Sequence, residues 1–263
     1  GIPALAVLRL APAVEIRIHA AVIESIEPMG IIEVHDNYTA LGISSRPITK
    51  GQEFDMVSEF IDFRKDSFKP TDKKQLAVFV ETKINDAYPD VVFAEFNPQM
   101  YENWNVNRGK LTTTDLKVLH YIYSKRNVTS QKLIKELSFQ YKTLLGSLEA
   151  LIDAKLVDRV DGCWVIPNKH EIFGVKRIEA VEAKISKWDK VMQQAIVNKS
   201  FASESFVLSK RKRIPDAEVV ERMSTFGIGI YLYDSKQFSC YSPAGHNRFP
   251  SNYNSIYLNE CIG

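Results

Sequence analysis

Glu182 and Lys184 stand two positions apart in the run Ile178-Glu179-Ala180-Val181-Glu182-Ala183-Lys184-Ile185. The run alternates apolar and polar residues and includes several β-branched types, which predicts a strand. On a strand, residues i and i+2 share one face, so a carboxylate and an ammonium project side by side from its end. Ser186 offers a helix cap, and Trp188, Val191, Met192 and Ala195 then recur at helical spacing. The chemistry that suits a strand ending in Glu-x-Lys is metal-assisted phosphodiester hydrolysis. Glu182 would hold a divalent cation, and Lys184 would face the attacking water or the charged phosphate. The tripeptide alone is a weak signal. Glu81-Thr82-Lys83 has the same form and reads as ordinary strand. The second pair is preferred for the helix that follows it and the Pro89-Asp90 that precedes it.

Several elements must position these side chains. Residues 52–64 carry Phe54, Val57, Phe60, Ile61 and Phe63 at helix-compatible spacing. The acids of that segment, Glu53, Asp55, Glu59 and Asp62, form a mostly solvated face, with Glu59 the one expected to point at the site. Residues 75–83 read as a buried strand, Asn85-Asp86 as a turn, and residues 89–96 as a second strand that proline can only open. Asp90 sits at the mouth of that second strand. Beyond residue 199, strands are expected at 204–210, 227–234 and 238–241, with a helix from the Asp216 cap to about Met223. Strands separated by helices imply an α/β sheet. The tail after Pro243, rich in Asn, Ser, Tyr and Pro, reads as irregular. In residues 1–50 the alternation at 14–19 and the run after Gly30 suggest strands, without recognisable chemistry.

Composition bounds the function more loosely. The 263 residues are enough for two domains or one domain with an insertion, and 45% hydrophobic residues support real cores. A net charge of +2 argues for no partner, although Lys210-Arg211-Lys212-Arg213 is a concentrated basic run suited to a phosphate backbone. Three widely spaced cysteines give neither a zinc spacing nor a disulfide framework, so a reducing, cytoplasmic compartment is expected. The apolar stretch at 2–21 is interrupted by Arg9, Glu15, Arg17 and His19, so no membrane span is expected. The chain opens Gly1-Ile2-Pro3 without a methionine, as expected if its natural start lies upstream.

Residues 97–110 have the asparagine, proline and glycine content of a linker, and a compact helical unit follows. Thr112 to Asp115 can cap a first helix and Thr129 a second. A third starts at Ser138, and Asp161-Gly162 turns a hairpin after it. In pattern, residues 111–167 resemble a winged helix-turn-helix. The resemblance implies a third helix lying in a DNA major groove with Gln140, Tyr141 and Lys142 outward, and a wing whose Arg159 touches phosphate. The acids Asp158 and Asp161 on the wing depart from that expectation, and a structural or dimerising role is the competing one.

Pro89-Asp90, then Glu182-Ala183-Lys184, then a helix bearing Gln194-Ala195, then the strand Ser205-Phe206-Val207-Leu208, together resemble the restriction-endonuclease-like superfamily, the PD-(D/E)XK nucleases. The resemblance covers two segments, and the distance between Asp90 and Glu182 is unusually long for the family. An inserted winged helix explains that gap. The implied fold is α/β, a restriction-endonuclease-like mixed sheet flanked by helices with an inserted winged-helix domain. Its parts are residues 1–50 of unclear role, 51–110 and 168–263 as two pieces of the core, and 111–167 as the insertion. The implied function is a metal-dependent DNA endonuclease. Asp90, Glu182 and the Ala183 carbonyl would bind Mg²⁺ or Mn²⁺, Lys184 would serve the water and phosphate, and Gln194 would support them. DNA is the implied partner, and a homodimer is left open. The alternative is a DNA-binding regulator on an inactive nuclease-like scaffold.

Overall fold

A computed structural model describes residues 30–34, 43–45, 51–84, 86–185, 188–210, 212, 215–235 and 237–263. The strand expected at 14–19, the Ser186 cap, Arg211 and Arg213 lie outside them.

A mixed seven-stranded sheet forms the centre. Its strands are β1 (Ile31–Val34), β3 (Gln75–Val80), β5 (Val91–Phe96), β9 (Val175–Ala183), β10 (Glu204–Lys210), β11 (Ile228–Asp234) and β12 (Gln237–Ser242), in that spatial order. β5 is antiparallel to both β3 and β9, whereas β9, β10 and β11 run parallel to one another. β5 and β9 are therefore neighbours although about eighty residues of chain separate them. Two short strands, β2 (Ile43–Ser45) and β4 (Thr82–Ile84), pair outside the sheet. The single strand expected over 75–83 breaks at Glu81, whose φ of 49° is left-handed, so the ladder stops and restarts as β4.

Helix α1 (Gln52–Ser67) covers one face. It starts at Gly51, whose φ of 151° and ψ of 176° only glycine adopts without strain. Met56, Val57, Phe60 and Ile61 then recur at helical spacing and bury against Leu76, Val78, Val91, Phe93, Val181, Phe206 and Leu208. Phe60 is fully buried, and truncating it to alanine would cost about 3–5 kcal/mol.

The other face carries α5 (Trp188–Asn198) and α6 (Ala217–Thr225), which close Val191, Met192, Ala195 and Met223 over Val207, Ile228 and Ile230. It also carries α2 (Thr113–Ser124) and a C-terminal helix, α7 (Tyr253–Ile262). That helix corrects the irregular tail expected from composition. Asn252 and Ser255 form a reciprocal capping box, and Ile256, Tyr257, Leu258 and Cys261 are buried. The three cysteines are free thiols.

Between β5 and β9 the chain makes two 3-10 turns and a helical unit. The unit comprises α2, β6 (Val128–Thr129), α3 (Ser130–Leu137), α4 (Tyr141–Asp153), β7 (Asp158–Val160) and β8 (Cys163–Val165). Thr112 and Asp115 cap α2 reciprocally. Ser138, at φ 53°, ends α3 instead of starting the next helix, which begins at Tyr141 after the Gln140 cap position. Asp161 and Gly162, at φ 49° and 78°, turn the β7–β8 hairpin. The unit is not held apart from the sheet. Leu116, Leu119, Leu148 and Leu151 belong to one apolar cluster with Ala77, Ala94, Ile178, Ala180 and Leu258. Arg108 seals the junction with a buried ion pair to Glu260 at 2.6 Å, and Asn259 Oδ1 accepts from the Val175 amide at 3.0 Å.

Candidate functional site

The antiparallel register of β5 against β9 sets Val91 opposite Val181. Asp90, the residue before β5, is thereby brought level with Glu182. Its Oδ2 accepts the Ala183 amide at 2.7 Å, across 93 residues of sequence, and its carbonyl accepts the Glu81 amide at 2.9 Å. Lys184 lies one residue past β9. Its amide continues the ladder to the Leu208 carbonyl at 3.0 Å, and its Nζ donates to Glu53 Oε2 at 2.7 Å. Glu53 Oε1 also accepts the Ile185 amide at 3.3 Å. Asp90, Glu182 and Lys184 thus gather at the C-terminal end of β9, where α1 begins and from which α5 follows. Helix N-termini point backbone N–H groups and positive dipole ends outward, which favours anions.

Glu182 and Lys184 do not point the same way. Glu182 is 1% exposed and turns under α5, where its Oε1 accepts Asn198 Nδ2 at 2.8 Å. The lysine swings to α1. The pleat that would align them ends at Ala183, so the second side chain is free of it. Glu59 does not reach this end either: its Oε2 accepts the Tyr233 hydroxyl. Glu53 takes the place expected of it, one turn into α1. Sequence reasoning singled out Glu59 among the four acids of that helix, and periodicity alone did not point to Glu53. The glycine start puts Glu53 and Asp55 in the first turn, and of the two it is Glu53 that meets the end of β9.

Burial works to lower the Lys184 pKa. The hydrogen bond that Lys184 donates to Glu53 and the negative charges of Glu53, Asp90 and Glu182 outweigh it, and the ammonium is held above the usual lysine value. The charged form of Lys184 is thereby favoured.

Carboxylates and amide carbonyls are the donor set that suits Mg²⁺ or Mn²⁺, so the residue chemistry fits such an ion. Two more oxygens support the fit. Gln194 Oε1 and Asn198 Oδ1, one turn apart on α5, are buried without a hydrogen-bond donor. Leaving an acceptor so costs about 1–3 kcal/mol. Among the described residues, no three acidic, histidine or cysteine side chains stand close enough together to hold a metal.

The remaining predicted residues separate into two groups. Lys210 ends β10, two positions beyond the Leu208 that bonds Lys184, and Lys212 is exposed. Gln140, Tyr141, Lys142 and Arg159 lie on the helical unit. Gln140 precedes α4, Tyr141 and Lys142 are exposed, and the Arg159 guanidinium sits 5.5 Å over the Trp164 ring.

No family model, curated protein or solved structure matches the chain. Among the described residues, no helix is long and apolar enough to cross a membrane.

Proposed function

We propose that the protein is a metal-dependent phosphodiesterase acting on DNA, with its working end where β9 stops. The observation that carries this reading is the meeting of Asp90 with the Glu182-Ala183-Lys184 strand end, joined by the 2.7 Å bond from the Ala183 amide. Asp90, Glu182 and the Ala183 carbonyl would hold Mg²⁺ or Mn²⁺. The ion would neutralise charge on the phosphate and acidify a bound water. Lys184 supplies a second positive charge to the phosphate, oriented by Glu53. Gln194 presents an unpaired carbonyl oxygen from α5 that can fix a water. Lys210 and Lys212 add positive charge for the phosphate backbone.

The experiment is cleavage of supercoiled plasmid with Mg²⁺ or Mn²⁺, with chelator as control. Nicking that disappears with chelator and in Lys184→Ala supports the reading. Salt-sensitive DNA binding without cleavage under either metal points to the regulator alternative, since phosphate contacts release counterions whether or not chemistry follows. Neither binding nor cleavage excludes both.

A further inference from the structure

At the sheet end away from Lys184, a cavity of about 390 Å³ opens between the last turn of α1 and strands β11 and β12. That volume lies within the range of small-molecule sites. Four aromatic rings line it: Phe63 on α1, Phe68 just past it, Tyr231 on β11 and Phe238 on β12. The guanidinium groups of Arg64 and Arg177 line it with them. Phe63 and Phe238 stand 5.1 Å apart at their ring centres. Among the described residues, neither an aliphatic side chain nor a carboxylate lines the space. The acids that pair with the two arginines, Glu95, Glu179 and Glu204, stay out of its walls.

Those pairs fix the arginines without using them up. Among the described residues, Arg64 donates through Nη1 alone, to Glu179 and, at 3.3 Å, to the Tyr231 hydroxyl. Arg177 donates through its two Nη atoms, to Glu95, Glu179 and Glu204. Each guanidinium keeps N–H hydrogens that no acid takes. Because the carboxylates already hold both side chains, a ligand that meets them orders little more. Burial, followed by the charge of Glu179, pushes the Tyr231 hydroxyl above its ordinary pKa, so it too stays a neutral donor.

We propose that this cavity is a binding site for a planar aromatic anion, with its rings against Phe63, Phe68, Tyr231 and Phe238 and its carboxylate or phosphate on Arg64 and Arg177. Complementarity of ring and charge carries the proposal, which is independent of the phosphodiesterase reading. Aromatic walls favour a flat ring that meets them by offset stacking or by its edge. The planar guanidinium fork matches the oxygens of a carboxylate or phosphate. A cationic ligand would meet two like charges, and a neutral or aliphatic one would leave the arginines or the rings without a counterpart.

The test is a ligand-observed NMR titration of the full chain with naphthoate. Chelator is present, so that no anion is held through a metal at the far end of β9. Naphthoate is expected to bind saturably, with a Kd of about 10 μM to 1 mM. Cyclohexanecarboxylate keeps the acid and loses the flat ring, and naphthamide keeps the rings and loses the charge. Each should bind at least about tenfold more weakly. Adenosine monophosphate separates the two sources of such an anion: tighter binding than naphthoate identifies a nucleotide, weaker binding an aromatic carboxylic acid, and either order supports the proposal. Arg64→Lys keeps a charge beside Glu179 but removes the unused donors, and should weaken naphthoate about tenfold. Ser239→Trp, at an exposed position of the cavity wall on β12, should fill the space and abolish binding. Circular dichroism confirms that each variant is folded, and the exposed Ser239 keeps the test clear of any unfolding caused at Arg64. Absence of naphthoate binding up to about 5 mM overturns the proposal. So does binding that a folded Ser239→Trp leaves unchanged, or naphthamide or cyclohexanecarboxylate binding as tightly as naphthoate.

Discussion

In its first half β9 places Arg177 and Glu179 among Glu95, Glu204 and Arg64, and at its last residues it places Glu182 beside Asp90 and hands Lys184 to Glu53. The first group is closed. Arg177 bonds Glu95 at 2.8 Å and Glu179 at 2.9 Å, and also Glu204, while Arg64 takes the other oxygen of Glu179. Glu179 is 1% exposed, with both oxygens engaged. The second group is looser. Lys184 and Glu53 are 23% and 42% exposed at their side chains, and unpaired carbonyl oxygens of Gln194 and Asn198 lie on α5, whose Asn198 holds Glu182. About five residues of strand, some 16 Å, separate the two groups. One strand thus carries a charge cluster closed on itself in its first half and, past its end, the more exposed pair of Lys184 and Glu53.

Separating those two roles by mutation gives the largest expected effect at the closed end. Glu179→Ala leaves two guanidinium groups without their buried partner and should cost about 3–5 kcal/mol in urea unfolding. Glu182→Gln should cost far less, because an amide oxygen can still accept from Asn198. Equal losses from the two would erase the distinction.

Lys184→Ala should reduce cleavage by about 10²–10³-fold, the usual result of removing one stabiliser of transition-state charge, while leaving the melting temperature nearly unchanged. A large stability loss would place the lysine with the structural group.

Glu53→Gln should lower cleavage about 10- to 100-fold, as for groups that orient others. It also carries a pH signature. The Lys184 pKa is raised in the folded protein, so its stabilising pair is present below about pH 10.4 and lost as pH climbs through the higher folded value. Removing the carboxylate should move the alkaline limb of activity downward. An unmoved limb would mean that Glu53 does not set the charge of Lys184.

The smallest effect is expected from Glu204. Burial pushes its pKa up, but the hydrogen bond and charge of Arg177, helped by His246, hold it below its ordinary value. Its contribution is therefore present above about pH 4.3 and fades as pH falls toward the lower folded value. Glu204→Gln should flatten the melting temperature across the acid range, where the wild type declines.

The strands and helices were legible wherever periodicity was strong, as in the apolar spacing of α1 and the run into β9. The adjacency of β5 and β9 followed from treating the helical unit as an insertion between neighbouring strands. What was not legible depended on which way a side chain turns. Asn198 and Glu53 meet Glu182 and Lys184 only through packing, and no periodicity distinguishes them from solvated neighbours. Helix α7 was hidden by composition: asparagines, serines and tyrosines read as loop, yet here Asn259 is buried and its Oδ1 accepts from the Tyr101 hydroxyl and the Val175 amide. The Asn252–Ser255 capping pair was its one local signal.

Manganese binding to the intact protein, followed by electron paramagnetic resonance, addresses the working end most directly. Asp90 and Glu182 are expected to hold one Mn²⁺ per chain. Asp90→Ala and Glu182→Ala should each abolish it, and Lys184→Ala should leave it nearly intact. Wild-type protein that binds no ion, or binding untouched by loss of either acid, would contradict the account.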